Sequence, residues 1–315
     1  MMTLSKLASL AHVSLSTASK AFSMSNEVNE ETRKMIFALA REHGCFKKFY
    51  NAKYPKLVIA VICPEFRSRY YSSVVSSIQE SLAEKGCEIC VASTDFSRKN
   101  LKELYEYYNN YSNVDGIIMI DCLKDEPSEN NVPIVANRRS KVKTSSSCPT
   151  GIDLAIDYFL SKNVTDIGFI GEERTLGKLA EFKDYMNEKN IKINEEYISV
   201  SEKRLESGGY AAMEELFRRH AVPRAVICAY DCMAIGAMRC IFDNGLKIPE
   251  DIAVIGMNNN RESEFLNPPL SSIDRCVEKM GKELSETMIN NLMGKGNCST
   301  VSVDPKLILR RSSEI

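Results

Sequence analysis

Residues 3–23 read TLSKLASLAHVSLSTASKAFS, and two short helical patterns share that run. Leu7, Ala8 and Ala11 fall on one face of the first; Ala18, Ala21 and Phe22 fall on one face of the second. His12-Val13-Ser14 interrupts the pattern for about three residues, the length of a helix-turn-helix joint. Small Ala8 and Ala18 let the two helices cross closely. Ser14 is placed to cap the second helix, since its hydroxyl can accept from a free backbone N–H. Leu15, Ser16, Ser19 and Lys20 then project outward, with Thr17 beside them. Serine and threonine are weak residues inside a helix, so their crowding between Ser14 and Lys20 asks for a reason. Short hydroxyls permit close approach to a phosphate backbone and donate hydrogen bonds to it. Lys20 can reach a guanine edge and Leu15 a thymine methyl. The plainer alternative is a solvated amphipathic helix.

A third helix is expected after Asn29, a good N-cap, with Glu30 and Glu31 at the positive end of its dipole. Met35, Ile36, Leu39 and Ala40 form its expected buried stripe, and Gly44 ends it. Residues 1–56 hold nine Lys and Arg against four Glu, a surplus of five positive charges, whereas the whole chain carries a net charge of −1. A basic head on an acidic body suits a phosphate-binding module joined to a domain that does not bind phosphate.

The chain has 315 residues, of which 44% are hydrophobic and 26% charged. That length suits a small module plus a large α/β body. No apolar run approaches the ~18 residues that span a bilayer, and no apolar leader segment opens the chain. The expected location is therefore the cytoplasm, with no membrane partner. The 11 cysteines are an odd number and read as reduced thiols serving as small core hydrophobes. Cys87-Glu-Ile-Cys90 is one close pair, but positions three apart on a strand face opposite ways. With no second C-x-x-C, no metal site is expected, and no cofactor.

From Leu57 onward apolar strands alternate with helical patterns: LVIAVIC then VVSSIQESLAEKG, EICVAS then KNLKELYEYYNNY, and so on to DIAVIGM. Repeated β-α units argue for parallel sheets covered on both faces, and about ten strands suit two sheets better than one. GEERTLGKL, 171–179, is the nearest approach to a phosphate-binding P-loop. It has five residues between its glycines where that loop needs four, and Leu179 stands at the magnesium-binding position. The histidines are His12, His43 and His220, and they complete no Ser-His-acid set. An enzyme reading is disfavoured.

The opening residues resemble the headpiece of the lactose/galactose repressor family: Ala8, Val13-Ser14, Thr17-Ala18-Ser19-Lys20 and Val28-Asn29-Glu30-Glu31-Thr32-Arg33 stand where that family's pattern has its marks. The resemblance implies that Leu15, Ser16 and Lys20 read bases, and that Ser14, Thr17, Ser19, Ser23 and Thr32 hold phosphates and helix ends. Lys20 stands where the family usually has Arg, and lysine lacks the bidentate fork. The link CFKKFYNAKYPK, 45–56, departs from the family. Lys47 and Lys48 replace Pro-Asn, and no Ala-x-x-Leu is present to wedge the minor groove. Either Tyr50 or Tyr54 replaces the wedge while the lysines sit on phosphates, or the link is a solvated basic tether, the favoured alternative.

The body resembles the sugar-binding-protein-like core of the same family, through VDGIIMI (114–120), AYDCMAIGAMRCIFDNGLKIPEDIAVIGMNN (229–259), NPPLSSI (267–273) and LILRRSS (307–313). The implied fold is α/β: an all-α helix-turn-helix head (1–44), a linker (45–56) and a two-lobe core with parallel sheets (57–315). The resemblance puts the first lobe at about 57–148 plus the helix near 277–293, the second at about 150–275 plus the C-terminal strand, and a small effector between them at the strand C-terminal ends. Carried over position by position, the effector-binding residues would be Phe66, Tyr70, Tyr71, Asn137, Arg138, Lys178, Arg204, Tyr230, Asp231 and Asn258. Two amides, Asn137 and Asn258, replace family carboxylates. A carboxylate accepts from two hydroxyls where an amide offers one acceptor and one donor side, so the expectation is either an effector other than the common neutral hexose or weak effector binding. Arg138, Lys178 and Arg204 would suit an anionic ligand such as a sugar phosphate; the plainer alternative is that some of these cations are exposed and solvated. Taken together, the expectation is a DNA-binding regulator, acting as a repressor, dimeric, on a near-palindromic operator with half-sites ~34–36 Å apart. A solute receptor of the same fold and a body that answers to a protein partner are the rivals.

Overall fold

The structure is a computed structural model that describes residues 2–50, 57–121, 131–137, 150–295 and 300–315. In chain order the helices are α1 (Leu4–Leu10), α2 (Leu15–Phe22), α3 (Glu30–Glu42), α4 (Phe46–Phe49), α5 (Arg69–Ala83), α6 (Arg98–Asn110), α7 (Ile152–Ser161), α8 (Leu176–Glu188), α9 (Leu205–Arg218), α10 (Asp231–Asp243) and α11 (Val277–Leu292). The strands are β1 (Leu57–Cys63), β2 (Cys87–Ser93), β3 (Gly116–Met119), β4 (Ile134–Asn137), β5 (Ile167–Glu172), β6 (Ile198–Ser201), β7 (Ala225–Cys228), β8 (Ala253–Met257), β9 (Ser271–Asp274), β10 (Thr300–Val301) and β11 (Lys306–Ile308).

The head folds as its sequence predicts in most respects. Leu7, Ala8, Ala11, Ala18, Ala21 and Phe22 are all buried, so the inward faces of α1 and α2 meet through the small residues. Helices α1, α2 and α3 are each capped: Thr3 accepts from the Lys6 amide, Ser14 from Thr17 and Asn29 from Thr32. Gly44, at φ +60, takes the left-handed conformation that ends α3. Two expectations fail. Met35 is exposed, and Phe37 joins the core instead. The link is no solvated tether at its start, because Cys45 and Phe46 are buried and Phe49 and Tyr50 pack on them. Four aromatic rings (Phe22, Phe37, Phe46, Phe49) surround one another with centroids 4.9–5.9 Å apart. An aromatic cluster of this kind supplies apolar area that a domain of some fifty residues otherwise lacks.

The chain divides into two compact units: Met1–Arg67 with Tyr71–Arg138 and Met280–Val301, and Ser68–Tyr70 with Arg139–Lys279 and Ser302–Ile315. The first unit contains a five-stranded sheet ordered β10-β4-β3-β1-β2, parallel throughout. The continuous apolar run of β1 follows from its central place there, buried on both faces. Gly281 on α11 lies so close to Ser77 on α5 that an added Cβ would stand 2.4 Å from the Ser77 hydroxyl oxygen. The second unit contains a six-stranded sheet ordered β11-β9-β8-β7-β5-β6, parallel except for the antiparallel β11 edge. Its core gathers Phe159, Phe169, Phe182, Met213, Leu216 and Ile241, all fully buried. Helices α9 and α10 meet backbone to backbone: a Cβ on Gly209 would lie 1.9 Å from the Met233 carbonyl oxygen, and one on Gly236 1.9 Å from that of Glu206.

Six of the described cysteines (Cys45, Cys63, Cys87, Cys228, Cys232, Cys240) are buried as free thiols. Burial pushes the Cys63 and Cys240 thiols up to about 11 and Cys232 to about 12, which keeps them protonated and unreactive.

Candidate functional sites: the head face and the strand ends

Helix α2 presents the residues expected to meet DNA. Leu15 is 53% exposed, and Ser16 and Ser19 are exposed beside it. The Ser14 hydroxyl accepts from the Thr17 amide at 3.0 Å and shares a 2.8 Å hydrogen bond with the Thr17 hydroxyl. Ser14 and half-buried Thr17 therefore fix the start of the helix. Ser23 closes the other end, its hydroxyl donating to the Lys20 carbonyl at 3.2 Å. Thr32 offers its amide to the Asn29 cap at 2.7 Å. Lys20 is not a free cation: its ammonium is ion-paired with Glu27, an acid that the reading of the sequence left out of the site. Lys48 donates to the Met2 carbonyl at 3.2 Å and sits 5.5 Å from the Phe49 ring, so it ties the link back to the head. The Lys47 side chain and Tyr54 lie outside the described residues. Tyr50 does not fit the wedge role, because its ring stacks on Phe46 at 4.9 Å and meets Phe37 edge-on at 5.7 Å.

In the first unit the C-terminal ends of β1, β3 and β4 bring Tyr71, Asp121 and Asn137 together. The Tyr71 hydroxyl donates to the Asp121 carboxylate at 3.0 Å. Asn137 is buried; its carbonyl oxygen accepts from the Asp121 amide at 2.6 Å and its amide nitrogen lies 3.4 Å from the Asp121 carboxylate. That same nitrogen reaches the Met280 sulfur at 3.3 Å. The amide that stands for a family carboxylate thus serves to hold the Asp121 turn, where φ is +50. Asp121, absent from the predicted set, supplies a carboxylate to this end. Phe66 is exposed, and Arg138 lies outside the described residues.

In the second unit the ends of β5, β7 and β8 assemble a denser group. Glu172, at the end of β5 and only 2% exposed, was also missed by sequence reasoning. Arg204 donates through Nε to both its carboxylate oxygens, at 3.1 and 3.0 Å. Arg204 therefore corrects the expectation of a cation kept for an anionic ligand: its charge is matched within the unit. Buried Lys178 donates to the Ala229 carbonyl at 2.6 Å, with its ammonium 5.8 Å from the centre of the Tyr230 ring. The Tyr230 hydroxyl accepts from the Leu205 amide at 3.1 Å, and burial pushes its phenol well above the ordinary range. Tyr70, assigned to this unit, is buried under the Arg275 guanidinium, which lies 4.3 Å from its ring centre.

Asp231, the first residue of α10, is fully buried and so is not placed to meet a ligand directly. One carboxylate oxygen accepts from the Ser272 hydroxyl at 2.6 Å and the other from the Asn260 amide at 2.6 Å. Burial pushes this carboxyl up to about 6, against the pull of those hydrogen bonds. What Asp231 holds is the turn Asn258-Asn259-Asn260, in which Asn258 has φ +103 and Asn259 φ +50. Arg310 supports the turn from the C-terminal segment, donating to the Asn259 side-chain oxygen at 2.8 Å. The Asn258 side-chain oxygen is buried with no hydrogen-bond partner among the described residues. Left-handed backbone at Leu205, Asn258 and Asn259 (φ +57, +103 and +50) concentrates strain at these strand ends, a common mark of binding sites.

Comparison with known proteins accords with this geometry. Residues 156–313 match the family model of the periplasmic binding protein-like domain. The HTH-type transcriptional repressor PurR of Salmonella arizonae is 26% identical over 99% of this chain and 97% of its own length; that of Pasteurella multocida is 26% identical over 99% and 98%. Among solved structures, the lac repressor dimer bound to operator and the anti-inducer ONPF superposes with a TM-score of 0.73 at 20% identity, over 99% of both chains. A complex of the transcriptional regulator CelR with cellobiose gives 0.67 at 23% identity, over 99% of this chain and all of that one. The chain belongs to the periplasmic binding protein-like family, and over nearly its whole length it is similar to transcriptional repressors.

Proposed function

We propose that this protein is a repressor that binds a near-palindromic duplex operator as a cytoplasmic homodimer, through residues 1–50, and answers to a small molecule held by the core. The observation that carries the reading is the outward face of α2: Leu15, Ser16 and Ser19 are exposed on a helix whose other face is locked against α1. That is the arrangement a major-groove helix needs, with hydroxyls for phosphates and an apolar tip for a thymine methyl. Phosphate neutralisation makes such binding fall linearly in log K against log salt, by about 0.9 per contact.

The effector belongs to the sugar or sugar-phosphate class. In the first unit the Asp121 carboxylate already accepts from the Tyr71 hydroxyl and keeps further acceptor capacity for a ligand hydroxyl. The described cations lend a phosphate little support, since Arg204 is ion-paired with Glu172 and buried Lys178 donates to the Ala229 carbonyl. The effector acts on DNA binding only through unequal affinity for two states of the protein. The test is a nuclease footprint of the full-length protein on its own promoter fragments, with and without sugars and sugar phosphates. A protected near-palindrome whose occupancy changes with one class supports the reading; no footprint under any condition overturns it.

A further inference from the structure

We propose that Glu27 and Lys20 act as one unit that reads a single G·C base pair in each half-site, with Glu27 as the residue that sets specificity. The inference rests on the DNA-binding reading above and adds to it a residue, and a base pair, that the reading does not supply.

Lys20 occupies the last turn of α2, and its ammonium is ion-paired with the Glu27 carboxylate, the two side chains being 44% and 68% exposed. The segment that carries Glu27 is pinned on every side. The Ser25 amide donates to the Lys20 carbonyl at 3.0 Å. Arg33 donates to the Ser25 and Val28 carbonyls at 2.6 and 3.0 Å, and Val28 is buried in the head core. The Glu27 amide leans on the Ser25 hydroxyl at 3.3 Å. An exposed ion pair of this kind adds little to stability, so the chain gains no obvious folding benefit from fixing an acid there. An acid beside a phosphate-binding face also weakens attraction to any duplex. Both drawbacks are offset if the carboxylate, beyond its pair with Lys20, also meets a base donor.

In the major groove the donors are the amino groups of cytosine and adenine, while guanine offers N7 and O6 as acceptors. Lysine only donates and an ionised carboxylate only accepts. Side by side they complement the acceptor, acceptor, donor order of a G·C edge: Lys20 on guanine N7 and O6, Glu27 on cytosine N4. An A·T pair breaks that order with the adenine amino group in the middle. Glu27 thereby gives Lys20 the direction that a lone ammonium lacks.

The test is selection from a pool of duplexes with randomised sites by the full-length protein, alongside Glu27→Gln and Lys20→Met. Fluorescence anisotropy then measures binding to the selected sites and to random-sequence duplex. Wild type should fix one G·C pair per half-site, and both variants should lose about fivefold or more of the preference at that same pair. Glu27→Gln should bind random duplex about threefold tighter at 0.1 M salt, and Lys20→Met more weakly. Retention of every wild-type base preference by Glu27→Gln, or loss at different base pairs in the two variants, overturns the proposal. If wild type selects no duplex at all, the DNA-binding reading fails first and takes this one with it.

Discussion

Phe22→Ala should unfold the head and leave the two-sheet body intact. Phe22 is 1% exposed, and its ring centroid lies 5.2, 5.9 and 5.7 Å from those of Phe37, Phe46 and Phe49. A buried phenylalanine removes 150–250 Å² from water, about 4–6 kcal/mol at ~25 cal/mol/Å². Truncations of this kind cost about 3–5 kcal/mol once the cavity relaxes. A domain of some fifty residues holds only about 3–8 kcal/mol in all, so one substitution consumes most of it. The second unit's core contains no part of this cluster. Calorimetry of the full-length variant should therefore keep the main unfolding transition. Duplex binding by anisotropy should fall more than tenfold, and limited proteolysis should cut within residues 2–50. Leu15→Ala is the control: at 53% exposure it should leave the head folded and change only DNA binding. Wild-type affinity together with a protease-resistant head in Phe22→Ala would refute the assignment of this cluster as the head's core.

Gly209→Ala places a Cβ 1.9 Å from the Met233 carbonyl oxygen, backbone that cannot step aside. It should destabilise the second unit by about 1–3 kcal/mol or more, read as a lower thermal midpoint, whereas a neutral result would mean α9 and α10 are not in backbone contact. Asp231 carries a carboxyl raised from 3.8 to about 6 by burial, so the folded state holds its proton more tightly than the unfolded chain does. Its cost is absent below pH ~4, grows through pH 4–6 and is complete above that, at about 3 kcal/mol. The stability of wild type relative to Asp231→Asn should thus fall by about 1–2 kcal/mol between pH 5 and pH 7 in denaturant titrations; a flat difference would show the carboxyl ionised throughout.

The head and the strand pattern were legible because both rest on local chemistry. Helix α2 follows from the spacing of Ala18, Ala21 and Phe22 and the cap at Ser14, and β1 coincides with the apolar run LVIAVIC. Strand β6, ISVS, left no periodic signal, being a four-residue edge strand with one buried position. The limits of α3's buried stripe were misread because Met35 and Phe37 are both apolar, and only the aromatic neighbours decide which one turns inward. Charge pairing was the least legible feature. Glu172 lies 32 residues from Arg204, and Glu27 seven from Lys20. No spacing rule on one helix links either pair. Once folded, these acids neutralise cations that look available in the sequence. Asp231 shows the same point for anions, since an acid at a helix start reads as a dipole partner, while its burial and its grip on Asn260 depend on β9.

Methylation protection on the protein's own promoter fragments tests the central claim most directly, because dimethyl sulfate reports guanine N7 in the major groove and adenine N3 in the minor groove. With α2 in the groove, guanine N7 atoms should be protected at two clusters about one helical turn apart. Protection confined to adenine N3, or none at saturating protein, would contradict the account.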